Sequence, residues 1–161
     1  MKQVYLIRHA KAEKVFSGFS DFERTLSQKG IFDATRLGGA LKQKKVHFDK
    51  LYFSPALRTT QTAELLQEQM SLSTGIMEEV PMIYNSSAAS LYRFLCQLND
   101  QENVVGIVGH NPALTHFLEF ITCEEGIHFP TSGCVQVQFD VSGWEEIMQG
   151  LGEIKSMEGM G

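Results

Sequence analysis

A chain of 161 residues, 43% hydrophobic and 20% charged, suits one compact domain with a sizeable core and leaves little room for two. Its formal net charge of −5 sets it against general nucleic-acid binding, and a pocket for an anion must gather its positive charge locally. Three widely spaced cysteines, Cys96, Cys123 and Cys134, include no C-x-x-C pair; they argue for a reducing compartment, and each reads as a small buried hydrophobe.

Val4–Ile7 is a short continuous apolar run, the mark of a strand buried on both faces, and it meets Arg8 and His9 at once. It is too short for a signal peptide, and no stretch of the chain is long enough to span a bilayer. The expectation is a cytoplasmic protein with no membrane partner. Residues 11–24 carry no period and include Gly18, so they read as a loop. "TLSQKGIFDATRLGGALKQKK" is helical, with Ser27 as N-cap and Ile31, Ala34, Leu37 and Leu41 facing inward. Its basic end, Lys42–Lys45, reads as a solvated face favoured by the helix dipole.

"FDKLYFS" is a second short strand, ending at Ser54 and Pro55. "ALRTTQTAELLQEQM" follows as a helix with Leu57, Thr60, Ala63, Leu65 and Leu66 on its apolar side. "TGIMEEV" is a third strand, and "SAASLYRFLCQLN" a helix turning Leu91, Phe94, Leu95 and Leu98 inward. "NVVGIVG" is a buried strand ending at His110, and "NPALTHFLEFIT" restarts a helix with Pro112 in its first turn. "CVQVQFD" alternates as a half-exposed strand, "SG" turns, "WEEIM" pairs back, with Trp144 in the core, and "KSMEGMG" frays. No internal repeat or linker interrupts residues 1–161, which are expected to form one domain. Strands alternating with helices predict a three-layer α/β/α sandwich with a mostly parallel central sheet and an antiparallel edge.

In such sheets ligands gather outside the carboxyl ends of the strands. Three strand ends here carry related chemistry: Arg8 with His9, Ser54 with Arg58 just beyond, and His110 with Asn111. If those strands run parallel, two guanidinium groups and two imidazoles share one rim near helix N-termini, a setting for a phosphate-like dianion. The histidines add a nucleophile and a proton carrier. Any one of these residues alone reads as surface or packing, and His47, His116 and His128 are read as packed, satisfied rings. Coincidence at corresponding strand ends is what singles out Arg8, His9, Arg58 and His110.

The segments "LIRHA", "SPALRTTQTAELL" and "VGHNPAL" resemble, in order and spacing, the three motifs of the histidine phosphatase superfamily, which has the phosphoglycerate-mutase-like fold. The small size, "RTLSQKG" and "PTSG" resemble its compact phosphohistidine phosphatase branch, and the likeness runs from Val4 to about Phe139. The resemblance implies that His9 attacks phosphorus and becomes transiently phosphorylated. It implies that Arg8 and Arg58 clamp the phosphoryl oxygens, that His110 stabilises or donates to the group, and that no metal or cofactor is needed. A hydrogen bond on the other ring nitrogen of His9 would fix its tautomer. Arg24 matches an arginine common in the compact branch and would reach the phosphate, with a solvent-facing arginine as the alternative. Asn111 would offer its backbone N–H, with helix capping as the alternative.

The chain departs from the wider pattern at two places. Ala10 stands where many members have glycine, a small change. Larger members carry an acid after the third strand to protonate an ester leaving group; Glu78 and Glu79 fall near that region, but in a different context, and read as an exposed pair. A site with a weak acid favours P–N bonds, whose imidazole leaves readily once protonated. Little chain remains to build a lid, so an open pocket suits a phosphorylated protein, such as a histidine-containing phosphotransfer protein. The alternatives are a phosphatase for a small metabolite or nucleotide and a non-catalytic phosphoprotein-binding module. A metal-dependent hydrolase lacks HxH, HExxH or clustered carboxylates, and a dinucleotide-binding domain lacks G-x-G-x-x-G. The chain alone names no oligomeric state.

Overall fold

The computed structural model describes residues 1–160. Its elements are β1 (Lys2–Arg8), α1 (Gln28–Gln43), β2 (Lys50–Phe53), α2 (Leu57–Met70), β3 (Met77–Glu79), α3 (Ala88–Cys96), β4 (Val104–Gly109), α4 (Ala113–Thr122), β5 (Cys134–Phe139) and β6 (Glu153–Glu158). They build a six-stranded sheet in the order β3-β2-β4-β1-β5-β6. β3, β2, β4 and β1 are mutually parallel; β5 runs against β1, and β6 runs against β5. The mostly parallel sheet with an antiparallel edge is therefore present, with β5 as the reversed strand and β6 outside it.

Alternate residues of a strand face opposite sides of the sheet, so an unbroken apolar run needs a helix layer on each side. Val4 and Leu6 of β1, with Val105 and Ile107 of β4, pack against Leu91 and Leu95 of α3 and Leu114, Phe117 and Leu118 of α4. Tyr5, Ile7 and Val108 face the other way, onto Leu37 and Leu41 of α1 and Ala63, Leu66 and Met70 of α2. Trp144 is fully buried in the first of these clusters, its indole N–H donating to the Glu102 carbonyl at 2.8 Å.

Local signals set several element ends. Ser27 caps α1, its hydroxyl accepting from the Gly30 amide at 3.0 Å. Ser87 caps α3 reciprocally with Ser90. Gly30 is required by space as well: a Cβ there would collide with the Lys11 carbonyl oxygen.

The structure corrects some expectations. Ile31 is exposed, because the buried stripe of α1 runs through Gly30, Ala34, Leu37, Gly38 and Leu41, one residue round from it. The buried side of α2 is Arg58, Thr59, Thr62, Ala63, Leu66 and Met70, not Leu57, Thr60 and Leu65, because this helix turns its first residues toward the strand ends. Phe94 and Leu98 are only half-buried. Residues 11–24 hold a 3-10 turn at Asp21–Glu23. "WEEIM" does not pair back: Trp144–Glu146 is a 3-10 turn, and the returning strand is β6, which begins at Glu153 and runs into the stretch read as frayed. The weakly apolar alternation of β6 hides it in the sequence, and pairing with β5 holds it. Gly161, the last residue of that stretch, lies outside the described residues. Of the cysteines, Cys134 is buried and Cys96 half-buried, but Cys123 is exposed, just past the end of α4. Among the described residues no helix is long and apolar enough to cross a membrane.

Candidate active site

β1, β4 and β2 are adjacent and parallel, so their carboxyl ends coincide. His9 follows β1, Ser54 follows β2, His110 follows β4, and Arg58 stands in the first turn of α2. All four are buried, and the His9 and His110 ring centroids lie 5.3 Å apart. Burial at a strand end explains the placement: the main chain leaves the sheet there, and the side chains turn into the space between the emerging helices.

The hydrogen bonds assign both tautomers. His9 Nδ1 lies 2.7 Å from the Ala10 carbonyl oxygen, which only accepts, so Nδ1 carries the proton. Its Nε2 accepts from Arg58 Nε at 3.3 Å and therefore holds a lone pair toward the cradle. Arg58 Nη2 stands 3.3 Å from His110 Nδ1, and a guanidinium only donates. His110 Nε2–H then donates to Ser54 Oγ at 2.8 Å.

Electrostatics keep the rings uncharged. Burial brings His9 down to about 4; its bond to the Ala10 carbonyl pulls the other way, and the charges of Arg58, Arg8 and Arg24 each add a smaller downward push. Burial and then Arg58 bring His110 down to about 3, with Asp21 pulling the other way. Arg8 Nη1 donates to the Phe129 carbonyl at 3.0 Å, and its Nε is buried with no partner among the described residues.

Arg24 is drawn to the cradle through a residue the sequence reading passed over. Its Nε donates to Asp21 Oδ1 at 3.0 Å, and Arg58 Nη2 donates to Asp21 Oδ2 at 3.0 Å. Tyr84, also passed over, donates its hydroxyl to Asp21 Oδ2 at 2.9 Å and packs edge-on against His110 at 5.6 Å. The spacing of Asp21 and Arg24, three apart in a loop, was the available signal; Tyr84 gave none. The segment after β3 thus supplies a phenol, while Glu78 and Glu79 are exposed on β3 and Glu78 pairs with Lys50 at 3.2 Å.

Asn111 Oδ1 accepts from the Thr115 amide at 3.1 Å, and its Nδ2 donates to the Phe129 carbonyl at 3.0 Å. His47, His116 and His128 are not packed rings: all three are exposed, on surface turns or the outer face of α4. Among the described residues no group of three His, Cys, Asp or Glu side chains is arranged to hold a metal ion.

A lone-pair imidazole beside a buried guanidinium fork at the carboxyl rim of a parallel sheet is an arrangement suited to holding a phosphate-like dianion next to a nucleophile. A family profile described as the histidine phosphatase superfamily (branch 1) matches residues 4–80. Phosphohistidine phosphatase SixA of Escherichia coli is 27% identical over 144 residues, 88% of this chain and 88% of that protein. Phosphoglycerate mutase 1 of Saccharomyces cerevisiae is 40% identical over 73 residues, 43% of this chain; the match spans only 29% of that longer protein. The structure of the protein histidine phosphatase SixA complexed with tungstate superposes with a TM-score of 0.83 at 25% identity, covering 96% of this chain and 95% of that one. The chain belongs to the histidine phosphatase superfamily.

Proposed function

We propose that this protein is a phosphohistidine phosphatase acting on phosphorylated proteins through a phosphohistidine intermediate at His9, with residues 1–161 as one catalytic domain. The observation that carries the reading is the committed tautomer of His9: the proton sits on Nδ1 against the Ala10 carbonyl, and the Nε2 lone pair faces Arg58. The near full-length likeness to SixA, whose solved complex holds tungstate, a tetrahedral oxyanion, supports the substrate class.

The Nε2 lone pair of His9 attacks phosphorus, and the bond from phosphorus to the substrate imidazole breaks, its electron pair leaving on that ring, which is protonated. Water then attacks the phosphorus on His9, the P–Nε2 bond breaks, and inorganic phosphate departs. Arg58 and Arg8 bring positive charge to the non-bridging oxygens. His110 begins uncharged. A dianionic phosphoryl group beside it reverses the sign of its surroundings, favours a proton on Nδ1 and turns that atom into a donor. Arg24 and Asn111 border this cradle and complete its phosphate-binding side. The exposure of Glu78 and Glu79 leaves no acid there for an alkoxide leaving group, which favours P–N bonds over alkyl esters. The partner is a phosphorylated protein with an accessible phosphohistidine.

Trapping tests the reading. Wild-type protein mixed with a radiolabelled histidine-phosphorylated peptide should carry a label that falls off in acid and survives base. His9→Ala should lose both label and turnover. A label that persists in His9→Ala would remove His9 as the nucleophile.

A further inference from the structure

Asp21 is the anion at the centre of the cradle's outer edge. Its Oδ1 takes Arg24 Nε at 3.0 Å and Arg24 Nη2 at 2.9 Å. Its Oδ2 takes Arg58 Nη2 at 3.0 Å and the Tyr84 hydroxyl at 2.9 Å. Its main-chain carbonyl takes Arg58 Nη1 at 2.8 Å. A carboxylate offers about four acceptor sites on its two oxygens, so this one is saturated and has no free lone pair with which to take a proton from water. Burial pushes its carboxyl up, but Tyr84, the charge of Arg58 and the bonds from both arginines hold it below the usual carboxylate range, so it has no proton to give either.

A group that neither accepts nor donates a proton but grips both arginines does something else. Arg58 has five N–H donors, and its contacts with Asp21 account for two of them, on the side away from His9. Held from that side, the guanidinium presents Nε to His9 Nε2 at 3.3 Å and Nη2 to His110 Nδ1 at 3.3 Å. We infer that Asp21 is a positioning residue for the reaction: it fixes the fork of Arg58 between the two histidines and ties Arg24 to the same rim. Arg58 is rooted in α2, and Asp21 comes from the β1–α1 segment with Tyr84 bracing it from beyond β3, so the register of the cradle depends on three parts of the fold meeting at one carboxylate.

This rests on the phosphatase reading, and the test separates the two. Turnover of a histidine-phosphorylated peptide is measured for wild type, Asp21→Asn and Asp21→Ala. In Asp21→Ala the fork is untethered but keeps its charge. kcat should fall about 10- to 100-fold, the scale of a misplaced reacting group, while KM stays within about threefold and inorganic phosphate still inhibits. Asp21→Asn keeps one acceptor oxygen and should recover part of kcat. A kcat for Asp21→Ala within about threefold of wild type, or a loss carried wholly by KM, overturns the inference while leaving the phosphatase reading intact. Wild-type protein that fails to turn over the peptide overturns both. Asp21 has a side chain 47% exposed, so the fold should survive; if melting shows that Asp21→Ala does not fold, Asp21→Asn decides by the same split between kcat and KM.

Discussion

A histidine is a nucleophile only while its attacking nitrogen keeps a lone pair, and this site secures that by desolvation first and by arginine charge second. The consequence reaches stability. Below the ordinary histidine value of 6.5 an unfolded chain protonates His9 and His110, whereas the folded chain resists until about 4 and about 3. Their stabilising contribution is therefore complete above pH 6.5 and is lost progressively as pH falls toward 4. Between pH 7 and pH 5 wild type should lose about 2 kcal/mol more than His9→Gln, read from urea unfolding at the two pH values. Equal losses would show that the cost of keeping the ring neutral does not sit at His9. At this scale Arg8, His9, Arg58 and His110 were legible because strand ends bring their positions into view. Asp21 and Tyr84 were not, since Asp21 lies 37 residues from Arg58 and 63 from Tyr84 along the chain and no period connects them.

Among the elements, α1 shows how a local signal and a distant constraint meet. Ser27 reads as a helix start and is one, its hydroxyl accepting from the Gly30 amide; the same two residues also seat the helix on the β1–α1 segment. Ser27 N–H donates to the Lys11 carbonyl at 2.9 Å, and Gly30 leaves room for that carbonyl. Gly30→Ala should raise helix propensity yet destabilise the protein by roughly 1–3 kcal/mol, because the new methyl meets backbone that must move. Thermal melting checks the sign: a stabilised variant would mean the Lys11 carbonyl yields freely. For α2 the apolar count found Ala63 and Leu66 but missed Thr59 and Thr62, which are buried by hydroxyl bonds to the Ser54 and Arg58 carbonyls. Thr62 Oγ1 also accepts from the Ala10 amide at 3.0 Å, which anchors the residue after the nucleophile. A buried threonine with satisfied hydrogen bonds is invisible to hydrophobic periodicity.

Over the whole molecule, one sheet with a helix layer on each face turns three separate segments into one site. The apolar cluster on the α3–α4 side extends to Trp144, which closes the end of the sheet where Lys2 enters β1; the Lys2 ammonium lies 5.5 Å from the indole ring and donates to the Glu102 carbonyl at 3.2 Å. Trp144→Ala should cost about 3–5 kcal/mol of unfolding free energy, measured by denaturant titration. The cradle lies at the opposite, carboxyl end of the parallel strands, so the variant that folds should keep its turnover. Loss of kcat in folded Trp144→Ala would mean that the packing of this end reaches the site.

Strands β1 to β5, the helices, the parallel topology and the four cradle residues follow from the sequence, because burial leaves its pattern on each of these elements and strand ends share a rim once the strands are parallel. The tautomer of His9, the grip of Asp21 on two arginines, the bracing by Tyr84 and the β6 edge came only with the folded chain. Those depend on which side chains meet across long separations, and contact between distant segments is set by tertiary packing, for which no local spacing stands in.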